Sequence, residues 1–395
     1  MESRDLLDRS TAAARLSDGW QRPSETVTVG REAIAGRTVA APVTATADVP
    51  AADFATMDGF AFRAEDPYPL TVVAAVAPAD DAPPLGEREA VRVATGAPLP
   101  ERADAVLPVE EATVTDGTLT GPALQSGTNR YPAGATASDG EVLFGVGTRL
   151  APRHAALLAD VGIDTVTVRR RLSVGVLATG TEIATGEQPD RDSELLANLV
   201  REWGHEPALL EPVADDDDAV RAAIEAAAAD HDAVFTSGGT SAGAADFVRG
   251  VLADHDTLFS GVALRPGRPT TAALVDGTLV CALPGKPLAA HAAATLVARP
   301  ALAGTDRLPT VSADPTCRVE LPDAPVEYAV PVRLDDGRAT PLGHEDSPFP
   351  LYGTRFAPGR VASSTRLTLT DSVVVTTDPL VPGTAVDVVP YEVVE

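Results

Sequence analysis

Lysine is almost absent from this chain: Lys286 is the only one, and every other basic residue is arginine. Basic residues are scarce altogether, 31 against 57 acidic ones, for a net charge of −26. Phosphate backbones are bound through clustered Lys and Arg, so nucleic acid is excluded as a partner. An anionic membrane surface is disfavoured for the same reason. Cysteine is scarce too. Cys281 and Cys317 stand alone, with no C-x-x-C, which argues against a disulfide framework or a zinc knuckle. The six histidines are scattered, with no H-x-x-x-H pair. No apolar run approaches the roughly 20 residues that span a bilayer, and MESRDLLDRSTAAARL lacks an apolar signal core. A soluble, cytoplasmic protein is expected, and its acidic, lysine-poor composition suggests a salt-adapted cytoplasm.

What is present is length and pattern. A chain of 395 residues, 44% of them hydrophobic, supports about two to four packed domains. Residues 3–16 suit a short amphipathic helix, and Val27–Val49 reads as a helix turn with strands. From Tyr68 to Thr120 short β segments alternate with Pro/Gly turns, as in an all-β module. Leu150–Ile163 returns to helix. From Arg171 apolar runs alternate with helical stretches: VGVLATGTE, SELLANLVREWG (Ser193 as candidate N-cap), PALLEPVADDDD, AVRAAIEAAAAD, DAVFTSGGTSAGAADF, TLVCALPGKP and LAAHAAATLVARPAL. That alternation predicts a parallel sheet covered on both faces. Beyond about Pro309 the pattern is β again, as in a small barrel or sandwich.

The unusual residues fall just past the carboxyl ends of the expected strands, the edge where open parallel sheets bind ligands. They are Thr179–Glu182, Asp215–Asp216, Ser237–Asp246 and Leu283–Pro287. Gly238, Gly239 and Gly243 let backbone N–H groups approach an anion, and Asp246 is placed to hold a metal beside it. A plain strand–loop–helix turn accounts for the same glycines. Gly239, Ser241 and Gly243 also match G-x-S-x-G, a serine-nucleophile pattern, yet neither His255 nor His291 is marked by spacing as its partner. Asp215–Asp218 serve equally as helix-opening acids, and Glu182 as a solvated loop acid. Arg265 and Arg268 flank Pro266–Gly267, a stiff turn suited to an oxyanion or simply two surface arginines. Asp58, before Gly59, is a turn former or a presented carboxylate. Cys281, inside an apolar strand, reads as core.

Taken together, MDGFA (Met57–Ala61), TGAPLPERADAV, Glu110, Asn129–Arg130, TGTE, SGGTSAGAAD, RPGRP and LPGKP resemble the molybdopterin molybdenumtransferases, the MoeA and gephyrin E-domain type. The resemblance spans nearly the whole chain. It implies a multidomain α/β plus β fold in a homodimer: an elongated linker domain (residues 1–47 and 145–171), an inserted β module (48–144), a parallel α/β molybdopterin-binding domain (172–305) and a C-terminal β-barrel (306–395). It implies that adenylated molybdopterin and molybdate are substrates, that Mg²⁺ assists, and that AMP leaves. An upstream molybdopterin adenylyltransferase would supply the pterin. Catalytic roles fall to Asp58, Glu182, Asp215 and Asp246, with Glu182 and Asp246 on the metal. Asp58 would join the others across the dimer interface. The pterin would rest on Thr179, Gly180, Ser237, Gly238, Gly239, Ser241, Gly243, Pro284, Gly285 and Lys286, and molybdate on Arg265 and Arg268. The sequence departs from the family pattern at Gly134-Ala135-Thr136, where an acid pair is missing, with Asp139 and Glu141 offset nearby. Asp192-Ser193-Glu194 is a loose version of another motif. A non-catalytic paralogue acting as carrier or assembly partner is the alternative, and a serine hydrolase through Ser241 a more distant one.

Overall fold

The computed structural model describes residues 6–238, 247–304 and 308–395. They form two compact units, Glu25–Arg170 being one and the remainder of the chain the other.

The larger unit is organised by a six-stranded sheet. Its strands run in the spatial order Glu206–Leu209, Ser173–Ala178, Ala233–Ser237, Thr278–Leu283, Thr271–Val275, Asp256–Ser260. The first four are mutually parallel, as the helix-strand alternation predicts. The last two are antiparallel additions at one edge. That hairpin edge is a feature the alternation did not resolve. Strand side chains alternate between two cores, the period-2 consequence of the pleat. Val174, Val176, Phe235 and Cys281 pack with Leu196, Val200 and the N-terminal helix residues Ala12 and Leu16. Leu177, Val234 and Val280 pack on the opposite face with Val220, Ile224 and Val251. Cys281 is therefore core, and burial pushes its thiol up to about 12.

Local chemistry explains the helix ends. The helix Asp217–Asp230 opens with Asp216, whose Oδ1 accepts the Ala219 N–H at 2.9 Å. The helix-opening reading of that acid is thus realised. Ser193 does not cap its helix, contrary to expectation. It is the first helical residue of Ser193–Glu202, and Asp190 Oδ1 accepts the N–H groups of both Asp192 and Ser193 at 3.0 Å. The first helix begins at Arg9 and ends at Gly19, later than the apolar spacing indicated. The stretch LAAHAAATLVARPAL is not one regular helix: Pro287–Ala293 widens into a π-type turn at Ala294–Ala298 before Arg299–Ala303. Pro300, which has no N–H to donate, lies at the restart.

The chain then closes a barrel. Strands Val311–Pro315, Glu327–Asp335, Arg338–Pro341, Ser372–Thr376 and Val386–Pro390 join in a circuit sealed by pairing of Glu327–Asp335 with Ser372–Thr376. The second compact unit carries its own six-stranded sheet, in the order Ala105–Pro108, Gly59–Phe62, Glu89–Val93, Leu70–Val76, Thr118–Thr120, Thr113–Thr115. Its other pieces include the antiparallel pair Thr26–Gly30 with Thr165–Arg169 and the helix His154–Asp160.

Candidate active site

The carboxyl ends of the parallel strands open into a cleft of about 440 Å³. Three backbone segments meet there with almost no space between them. Gly238 has φ +96°, and a Cβ added to it would lie 2.4 Å from the Thr179 carbonyl oxygen. A Cβ on Gly285 would lie 2.9 Å from Gly238 Cα. Glycine is required at both places because any side chain would collide with backbone. The Thr179 N–H donates to the Ser237 carbonyl at 2.9 Å and the Gly180 N–H to the Val213 carbonyl at 3.0 Å, so the loops extend the sheet's own ladder.

Most of the expected cleft residues are brought together. Thr179, Gly180, Glu182, Asp215, Ser237, Gly238, Pro284, Gly285 and Lys286 all line the cleft. Asp215 and Thr181 lock two loops reciprocally: Asp215 Oδ2 accepts the Thr181 N–H at 3.2 Å, and Thr181 Oγ1 accepts the Asp215 N–H at 3.1 Å. Glu182 sits on a one-turn helix, Thr181–Ala184, and is exposed. Lys286, also exposed, immediately precedes the helix Pro287–Ala293. Gly239, Ser241, Gly243 and Asp246 lie outside the described residues. Arg265 and Arg268 are half-buried on the turn that Gly267 allows at φ +130°. They are not among the cleft's described lining residues; Pro269, on the same turn, is.

Sequence reasoning missed the most unusual acid. Asp192 lines the cleft and is only 6% exposed. Its Oδ2 accepts the Ser237 hydroxyl at 2.9 Å, while Oδ1 is buried with no hydrogen-bond partner among the described residues. Burial raises its pKa above the ordinary carboxylate value, opposed by the Ser237 hydrogen bond, with Asp190 adding to the rise and Arg191 opposing it. The signal available is Asp192-Ser193-Glu194, which matches a family motif only loosely and by itself assigns Asp192 no role. Gln188 and Asp190 complete this wall.

Asp58 belongs to the other compact unit. Its Oδ1 accepts both the Thr95 N–H at 2.7 Å and the Thr95 hydroxyl at 2.9 Å. Those two donors, the backbone one first, hold its pKa below the ordinary value. In the same unit Gly134 adopts φ +69°. Of the nearby acids, Glu141 is committed to a turn, its Oε2 accepting the Ser138 N–H at 3.0 Å, while the Asp139 backbone N–H donates to Asp48 Oδ1 at 2.9 Å.

Residues 3–162 match the model of the MoeA N-terminal region, domains I and II, and residues 175–304 match that of a probable molybdopterin-binding domain. The chain is similar to the molybdopterin molybdenumtransferase of Bacillus subtilis, 34% identical over 76% of this chain and 75% of that one. The corresponding protein of Haemophilus influenzae is 31% identical, over 72% and 74%. Among solved structures, a molybdopterin biosynthesis MoeA protein from Pyrococcus horikoshii superimposes with TM-score 0.77 at 27% identity, covering 98% of this chain and 99% of that one. No helix among the described residues is long and apolar enough to cross a membrane. On sequence and fold alike, the chain belongs to the molybdopterin molybdenumtransferase family, enzymes of molybdenum cofactor biosynthesis.

Proposed function

We propose that the cleft takes adenylated molybdopterin and molybdate and releases metal-loaded pterin and AMP. The observation carrying this reading is the convergence of Glu182, Asp215, Lys286 and the glycine-walled Thr179–Gly238–Gly285 corner on one opening. The close-packed glycine backbone fixes the loops around the opening, and the Lys286 ammonium at the rim opposes the charge of a phosphate. The donor set fits Mg²⁺, which takes one or two carboxylates and completes its shell with substrate phosphates. Glu182 and Asp215 would hold it, with Asp246 proposed alongside. Bound there, it would neutralise charge developing on the departing phosphate. Asp192, left with an unpartnered Oδ1, would accept an N–H of the pterin. Arg265 and Arg268 are proposed for molybdate, as guanidinium groups suit oxyanions. Asp58 is proposed as a further acid of the reaction. The adenylated substrate implies an adenylyl-transferring reaction upstream. We also propose the homodimer, a salt-adapted cytoplasmic setting and the four-part domain division, which the separate sheets support.

The test is AMP release from adenylated molybdopterin in high-salt buffer, with and without molybdate and Mg²⁺. Release that needs both ions and falls in Glu182→Gln and Asp215→Asn supports the reading. A second reading, binding without turnover as a carrier, is favoured by the missing acid pair at Gly134-Ala135-Thr136, where the offset acid Glu141 is occupied by the Ser138 N–H. Tight pterin binding with no AMP release would select it. The serine-hydrolase alternative gains nothing: Ser241 lies outside the described residues, and His291 is engaged with Glu395 at 2.7 Å.

A further inference from the structure

A second cluster of ligating side chains lies on the C-terminal barrel. Strands Val311–Pro315 and Arg338–Pro341 pair in parallel, Asp314 opposite Arg338 and Pro315 opposite Ala339. Both segments therefore leave the barrel at the same end. Cys317 follows the first strand; His344 and Asp346 follow the second. Among the described residues, these three form the one group of His, Cys, Asp or Glu side chains whose ligating atoms all lie within 4.8 Å of one another. We propose that Cys317, His344 and Asp346 bind a divalent transition metal of the zinc type, leaving one coordination position open.

The histidine is prepared for that role. His344 is 3% exposed and packs edge-on to Tyr352 at 6.0 Å between ring centres. Its loop is closed by the Gly343 N–H donating to Ser347 Oγ at 3.0 Å and the Tyr352 hydroxyl donating to the Leu342 carbonyl at 3.2 Å. The Asp346 backbone N–H points at His344 Nδ1 at 3.2 Å. An amide can only donate, so Nδ1 carries the lone pair, and a metal bound there would take the place of that hydrogen bond. Asp346 Oδ2 lies 3.4 Å from that same nitrogen. With that hydrogen bond displaced, both atoms offer an electron pair to a cation between them. Metal–ligand bonds of about 2.0–2.2 Å at a tetrahedral angle put N and O about 3.3–3.5 Å apart, which matches. The Cys317 sulfur needs to approach by about 1 Å at most, within reach of a small side-chain rotation. Thiolate plus carboxylate balances a dication. Sulfur and imidazole nitrogen exclude Mg²⁺ and Ca²⁺, which take oxygen, and select zinc. The Asp346 side chain is 77% exposed, so an ion can enter from solvent. The site is distinct from the cleft and does not depend on its chemistry.

The experiment uses the full chain, stripped with a chelator and titrated with Zn²⁺ and Co²⁺. Wild type is expected to bind one metal per chain. With Co²⁺ it should show a thiolate-to-cobalt charge-transfer band and the visible intensity of a tetrahedral site. Cys317→Ser should abolish the charge-transfer band, and Cys281→Ala should leave it unchanged. His344→Gln and the exposed Asp346→Asn should each weaken zinc about tenfold or more. At the same zinc concentration the melting temperature of wild type should rise by more than that of Asp346→Asn. An octahedral cobalt spectrum without sulfur charge transfer would overturn the proposal, as would unchanged zinc affinity in both Cys317→Ser and Asp346→Asn.

Discussion

Two aspartates in different regions of this protein are held in opposite electrostatic states. Asp58, in the inserted β region, is exposed and accepts two hydrogen bonds from Thr95, which lower its pKa. Asp192, in the wall of the α/β cleft, is buried, accepts one hydrogen bond from Ser237, and is pushed up by loss of water. The charged form is favoured where donors outnumber the desolvation they must offset, and disfavoured where burial outruns them. A residue type therefore says little about charge until its shell is known. Each acid also sits near a glycine that another backbone nearly touches, so the shells are built on close main-chain approaches.

Those approaches should produce the largest effects. Gly238→Ala is expected to cost about 2–4 kcal/mol, from both positive φ and collision with Thr179, read as a lower melting temperature. Gly59→Ala should cost a comparable amount, because its Cβ would stand 2.2 Å from the Leu107 carbonyl oxygen. A melt unchanged by either substitution would break the comparison on that side.

Removing a hydroxyl donor should separate the two regions. Ser237→Ala leaves Asp192 buried with both oxygens unpartnered among the described residues and should destabilise by about 1–3 kcal/mol in denaturant titration. Thr95→Ala leaves Asp58 exposed and still bonded to the residue-95 N–H, so a change within about 0.5 kcal/mol is expected. Equal effects would mean that burial does not distinguish these acids.

A smaller effect appears in the pH dependence. The folded pKa of Asp192 lies above its unfolded value, so between the two the folded chain holds the extra proton. Its contribution to stability therefore falls as pH rises through that window. Asp192→Asn removes this slope, and its melting temperature relative to wild type should climb as pH is raised from about 4. A flat difference would show that Asp192 is not raised. The smallest expected signal is a titration midpoint: Asp58, followed by NMR, should titrate below 3.8 and move upward in Thr95→Val.

Much of the cleft was legible because local rules wrote it. Thr179–Gly180–Glu182, Asp215, Ser237–Gly238 and Pro284–Lys286 follow apolar runs, and parallel topology sends such loops to one edge. Asp192 was not legible. Its bond to Ser237 joins residues 45 apart. The antiparallel hairpin of Asp256–Ser260 and Thr271–Val275 was hidden behind the motif-rich turn between those strands. The barrel cluster was invisible for a related reason. Cys317 and His344 have no zinc-knuckle spacing, and only pairing of their strands makes them neighbours.

By itself, the sequence determined the alternation of strands and helices, the glycines at the strand ends, the acidic surface and the family to which these belong. These depend on residue identity and short-range periodicity, which act over a few residues. The tertiary structure alone decided that Asp192 is buried with an oxygen unpartnered among the described residues, that Asp58 is exposed and accepts two hydrogen bonds, and that Cys317, His344 and Asp346 meet. Burial, pKa and ligand geometry are set by what distant segments place around a side chain, and no local pattern encodes that.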